Sequence, residues 1–336
     1  MSNIVSSDEK KDTGNAKKKL LVVMIPAYNE EKSIQKVIKE IPRNIPGVET
    51  KVLVINDGST DNTAQAAKEA GADYILTNKK NLGLAPTFKR GMDYALELGA
   101  DIIINTDADF QYNQSEIPKL LKPILDGKAD IVLTDRHVWK LSHMPLGKKL
   151  GNSIASFVTR KVSGYPVHDA QSGYRAFSRE AALRINVMSD YTYVAETIIQ
   201  AANKNLKMVQ VDCEFRKRQD KSRLISNIFN YAKRAGLTII RTYTRYKPLK
   251  VFLSLGTVVF IVGLAFALRV LVHYIKTGMV SPYIPSAILS AILMIVGFQL
   301  AVLALLADII DAERRINEEV LYRIKKEQFS KDKSRE

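Results

Sequence analysis

Among 336 residues there is one cysteine, Cys213, which excludes an intramolecular disulfide framework and a cysteine-based zinc cluster. The four histidines, His137, His143, His168 and His273, show no close ligand spacing, so a structural metal is not expected. Residues 1–19 lack any apolar stretch; they read as a disordered tail and carry no signal-peptide pattern. Acids are outnumbered, 35 against 50 Lys and Arg, and the net charge of +15 calls for an anionic partner: nucleic acid, a membrane surface or phosphates. What is present, 46% hydrophobic and 25% charged residues, excludes wholesale disorder. The length suits a soluble core of roughly 200 residues with an appendage.

The charge is concentrated. From Arg216 to Lys250 there are eleven basic residues against one acid, Asp220, and the segment ends where a long apolar run begins. A basic segment abutting such a run reads as membrane-facing, which makes nucleic acid the weaker reading. Val251–Leu268 is uncharged, apolar character resumes after Arg269 through Ile275, and a second run covers Ile284–Ala307. About 20 residues suffice to cross the hydrocarbon core, so both runs predict spans. Arg241, Arg245, Lys247 and Lys250 precede the first, whereas the connector carries only Lys276. Basic flanks favour the cytoplasmic side, which puts both termini there. Arg269 then falls near the outer interface, where it can snorkel, and Asp308 near the inner one.

Upstream, apolar runs alternate with helical periods. Strands are predicted at Leu20–Ile25, Lys51–Ile55, Tyr74–Thr77, Asp101–Asn105 and Ala129–Thr134, with helices between them. That alternation predicts an α/β domain with a mostly parallel sheet, whose ligands bind beyond the carboxyl ends of the strands. Three strand ends carry polar constellations: Pro26-Ala27-Tyr28-Asn29-Glu30, Asn56-Asp57-Gly58-Ser59 and Thr106-Asp107-Ala108-Asp109. An Asp-x-Asp pair alone is weak evidence, and Asn56–Asp61 could be a capped turn only. A carboxylate on every rim turn is what metal–nucleotide binding requires, since magnesium binds through carboxylates and substrate phosphates. Two segments, 147–164 and 224–240, are basic and amphipathic and read either as interfacial helices or as core helices.

Ile25–Glu31, Val54–Asp61, Asn81-Leu82-Gly83, Asp107–Gln111 and Asp169–Arg175 occur in one order. In that order the chain resembles the family 2 glycosyltransferases of GT-A fold, and among them the polyprenyl-phosphate glycosyltransferases, dolichyl-phosphate mannose synthases included. The resemblance covers roughly Leu20–Leu224. It implies a GT-A domain over 20–215, a basic loop and interfacial helix over 216–250, two transmembrane helices over 251–310 and a charged cytoplasmic tail over 311–336. It implies transfer of a hexose from a nucleotide diphosphate sugar to a polyprenyl phosphate, dolichyl or undecaprenyl, with inversion. Pro26, Tyr28, Glu30, Asp57 and Asp107 would hold the donor, and Asp109 with Gln111 would ligate Mg2+ or Mn2+. Asp107, Asp109 and Asp169 would serve catalysis. Arg136, Lys148, Lys149, Ser172, Arg175, Arg218 and Arg223 would serve the acceptor phosphate, although lysines stand where relatives carry arginine and serine. A homo-oligomer, a tetramer, is implied as well. A non-enzymatic scaffold binding nucleotide sugar is the alternative of another class. A processive polysaccharide synthase fits poorly, because the one tryptophan, Trp139, lies outside the motif such enzymes carry.

Overall fold

A computed structural model describes residues 18–189, 192–217, 244 and 247–331. The expected tail lies outside these residues up to position 17, as does the amphipathic segment 224–240. The sheet has eight strands: β1 (Lys19–Ala27), β2 (Asn44–Ile45), β3 (Val48–Asn56), β4 (Tyr74–Thr77), β5 (Ile102–Asn105), β6 (Ile131–Asp135), β7 (Arg175–Ser178) and β8 (Met208–Asp212). Their order is β2-β3-β1-β5-β7-β6-β8, with β4 also on β3. β1, β3, β4 and β5 pair in parallel, as do β6 and β8, whereas β7 runs antiparallel between β5 and β6. The sheet is therefore mixed at its centre.

Both faces are covered, which is why β1 reads as an unbroken apolar run. Side chains alternate across it. Leu21, Val23 and Ile25 pack with α1 (Glu31–Glu40), α2 (Thr63–Glu69) and α4 (Ile117–Leu125). Val22 and Met24 pack on the other face with α3 (Leu84–Glu97), α6 (Arg179–Arg184) and α7 (Val194–Asn203). Between β6 and β7 lies α5 (Leu146–Ser163), ended by Gly164 in the left-handed region at φ 75°.

Two long helices follow, α8 (Pro248–Thr277) and α9 (Ile284–Lys331), both apolar and long enough to cross a membrane. They cross through glycine. A Cβ on Gly256 would stand 2.8 Å from the Gly297 carbonyl, and one on Gly297 would meet Phe260 at 2.8 Å, so small residues permit the close approach. The 48 residues of α9 would extend about 72 Å, more than twice the hydrocarbon thickness. Its charged half does not trail into solvent. Tyr322 and Phe329 are buried in the same cluster as Phe88 and Phe177, Lys325 pairs with Asp93 at 2.8 Å, and Glu318 with Lys204 at 3.1 Å.

Candidate active site

The turns after β1 and β3 brace one another. Asn29, at φ 53°, accepts from the Thr60 amide at 2.8 Å, its own amide donates to Ser59 Oγ at 2.9 Å, and the Glu30 amide donates to Thr63 Oγ1 at 2.9 Å. Asp57 is buried and accepts from Asn78 Nδ2 (2.7 Å), the Leu82 amide (2.8 Å) and the Gly83 amide (2.9 Å). Its carboxylate thus folds the 78–83 loop onto the rim, while Tyr28 stays exposed beside it.

After β5 the chain turns sharply, with Phe110 at φ 61° under the Arg216 guanidinium. Asp109 Oδ1 accepts from the Gln111 amide at 3.2 Å, and Gln111 Nε2 donates to the Arg216 carbonyl at 3.3 Å. With that nitrogen committed, Gln111 has oxygen to offer a cation. The set Asp107, Asp109 and Gln111 is then all oxygen, which fits a hard divalent ion. Arg216 is fixed in turn by a two-pronged bond to Glu40 at 2.8 and 3.0 Å. Neither Glu40 nor Arg216 is legible as a site residue in the sequence: they are 176 positions apart, and no motif joins them.

Across the rim, Arg136 Nε and Nη2 grip Asp169 at 2.6 and 2.9 Å, and Nη2 also reaches Asn152 Oδ1 at 3.1 Å. Burial pushes the Asp169 carboxyl upward, but the charge and hydrogen bonds of Arg136 outweigh it and hold the acid below the ordinary range. So paired, Asp169 is a positioning group and a poor proton acceptor. Nη1 of Arg136 is uncommitted among the described residues, and the planar fork directs it away from Asp169.

Three residues expected at the acceptor phosphate are turned into the protein. Arg175 is wholly buried, and its guanidinium donates to the Ser172, Val194 and Ala170 carbonyls and to Thr197 Oγ1. Burial pulls it down to about 10, and it serves as an internal clamp. Ser172 is equally buried, bonded to Tyr112 and Thr134. Lys149 faces inward and donates to the Trp139 carbonyl at 3.2 Å, whereas Lys148 is exposed. Arg218 and Arg223 lie outside the described residues. The Cys213 thiol, pushed up to about 12 by burial, is no nucleophile.

The family model described as Glycosyl transferase family 2 matches residues 22–185, and one described as the family 2 C-terminal transmembrane region matches 225–311. A UDP-N-acetylglucosamine–dolichyl-phosphate N-acetylglucosaminyltransferase of Methanococcus voltae is 32% identical over 217 residues, covering 57% of this chain and 84% of that one. The chain belongs to glycosyltransferase family 2. Within this glycosyltransferase family, polyprenol monophosphomannose synthase of Mycolicibacterium smegmatis is 27% identical, covering 59% and 78%. Glucosyl-3-phosphoglycerate synthase of Mycobacterium tuberculosis, solved with Mn2+, UDP and glucosyl-3-phosphoglycerate, superposes with a TM-score of 0.53 at 21% identity, over 67% of this chain and 79% of that one. That likeness establishes the GT-A fold. The protein is a membrane glycosyltransferase with two apolar C-terminal helices.

Proposed function

We propose that this glycosyltransferase moves a hexose from a nucleotide diphosphate sugar to a polyprenyl phosphate at the cytoplasmic membrane face, inverting the anomeric carbon. The observation that carries the reading is α5. One face of that helix delivers Asn152 to the Arg136–Asp169 pair, while the opposite face exposes Leu146, Leu150, Ile154 and Phe157 in a single apolar row. A phosphate held by Arg136 would thus sit beside a surface suited to lipid. Relatives named for dolichyl-phosphate and polyprenol substrates support the acceptor class. The basic flank of the first span supports a cytoplasmic site and cytoplasmic termini.

The acceptor phosphate oxygen attacks the anomeric carbon as the bond to the nucleotide diphosphate breaks, so one displacement inverts the centre. That oxygen is already anionic and needs no base, which suits a site whose nearest acid, Asp169, is locked to arginine. Asp57 and the loop it folds, with Pro26, Tyr28 and Glu30, would frame the nucleoside; Asp107 would face the donor's ribose–phosphate. Asp109 and Gln111 would hold Mg2+ or Mn2+, which when bound offsets the charge of the departing diphosphate. The full-length protein in detergent, given a polyprenyl phosphate and a panel of labelled nucleotide sugars, should yield metal-dependent label in the lipid fraction. Asp109→Ala should lose at least about a hundredfold in turnover while inserting normally in membranes. Wild-type turnover in that variant would sink the metal assignment. Nucleotide binding without lipid product from any donor would favour a scaffold.

A further inference from the structure

A second cluster of ligating atoms lies behind Arg136. Asp135, His137 and Asp212 bring one ligand atom each to within 4.8 Å of one another. His137 Nε2 is 2.8 Å from Asp212 Oδ1, and its Nδ1 is 3.7 Å from Asp135 Oδ2. His168 Nδ1 stands 3.3 Å from the same Asp135 oxygen. Ligands held at 2.0–2.1 Å around a tetrahedral ion are about 3.3 Å apart, so one His137 nitrogen and the two carboxylates, already within 4.8 Å of one another, would close in slightly around an ion.

Strand register explains how the cluster arises. Asp135 and Asp212 are direct partners at the carboxyl ends of β6 and β8, so two carboxylates share one face. Like charges directly opposite on neighbouring strands are destabilising unless a cation lies between them. His137 supplies a ring there only because its backbone takes the left-handed conformation, φ 47°. The residues also flank the acceptor pair in sequence: Asp135 and His137 on either side of Arg136, and His168 just before Asp169. A cavity of about 400 Å³ is lined by Asp135, His137 and His168 together with Asn152 and Ser156 of α5, and Asp212 stands outside that lining, on the solvent side of His137.

We propose that Asp135, His137 and Asp212 form a site for a divalent transition metal of the Zn2+ class, with the fourth position left to water. It is separate from Asp107, Asp109 and Gln111: imidazole nitrogen suits Zn2+, Co2+ or Ni2+, whereas the all-oxygen set suits Mg2+ or Mn2+. The ion ties the end of β8 to the turn that carries Arg136. This site is independent of the sugar and acceptor the enzyme uses.

The test is Zn2+ bound per chain, measured by elemental analysis after the full-length, detergent-solubilised protein is dialysed against Zn2+ with excess Mg2+. Wild type should retain one Zn2+ that Asp109→Ala also retains, and that His137→Asn and Asp212→Asn bind at least about tenfold more weakly. Asn tolerates the left-handed backbone at 137, and the Asp212 side chain is 71% exposed, so neither change should unfold the protein. Zn2+ should raise the thermal midpoint of wild type and leave both variants unmoved. Wild type that retains no Zn2+, or variants that bind it as wild type does, would overturn the site and leave histidine–aspartate ion pairs in its place.

Discussion

Gly58 shows how one residue can decide a rim. At φ 67° it occupies the left-handed region, and a Cβ there would lie 2.5 Å from the Lys80 carbonyl carbon and 2.7 Å from the Asn81 nitrogen. Gly58→Ala should therefore push away the loop that Asp57 holds, costing about 1–3 kcal/mol and weakening nucleotide binding together with the thermal midpoint. Titration calorimetry and a melt on the same preparation check both. Asp169→Asn should be costlier, about 3–5 kcal/mol, because it strips a buried guanidinium of its counter-charge. The carboxyl of Asp169 is depressed on folding, so its contribution is present above the ordinary aspartate range near 4 and is lost as pH falls through the lower folded value. The variant's stability should accordingly lack that part of the acid transition, which unfolding curves taken at stepped pH would reveal. The clamp role of Arg175 was not legible in the motif Asp169–Arg175: an arginine in such a run reads as a ligand contact, and only its burial among carbonyls reveals the clamp.

Among the elements, α5 carries the largest consequence. Its sequence has apolar and basic residues at helical spacing, which a core helix and an interfacial helix share. In the fold polar Asn152, Ser156 and Thr159 turn inward while Leu150 and Phe157 are more than half exposed, the arrangement the interfacial reading needs. Leu150→Glu with Phe157→Glu should therefore leave nucleotide binding and folding intact and cut turnover with long-chain polyprenyl phosphate about tenfold or more, since burying apolar surface at about 25 cal/mol per Å² is lost. Equal activity on vesicle-embedded acceptor would show that the face does not meet lipid. β7 teaches the opposite lesson. Four residues, Arg175–Ser178, give no period strong enough to distinguish a strand, and nothing local encodes that it runs antiparallel between β5 and β6. Strand direction there is set by how the chain returns from α5, a long-range property.

At the scale of the whole molecule, α9 joins the bilayer to the catalytic domain as one continuous helix. A charged stretch with scattered Ile316, Val320 and Ile324 reads equally as a solvated or a packed helix. The structure packs it, through Tyr322 and Phe329 rather than those three aliphatic residues, which stay exposed. Tyr322 also donates to Glu180 at 2.9 Å and lies under Arg184. Tyr322→Ala should lower the stability of the catalytic domain by about 3 kcal/mol and expose the end of α9 to protease. Reversing Lys325 against Asp93 should cost less than about 1 kcal/mol, because that aspartate is a third exposed. A melt paired with limited proteolysis distinguishes a docked helix from a trailing one.

The amino-acid order alone determined the alternation of strands and helices, the carboxylates on the rim turns and the two spans. Each of these is written in local periodicity or in uninterrupted apolar length, signals that need no knowledge of distant contacts. Only the tertiary structure decided which polar residues are spent as internal braces. Among the described residues Arg136 keeps Nη1 uncommitted while Arg175 is spent internally, and two histidines 31 positions apart meet on one aspartate. The physical reason is that a side chain's role follows from the partners that reach it, and those partners arrive from other strands through the register of the sheet.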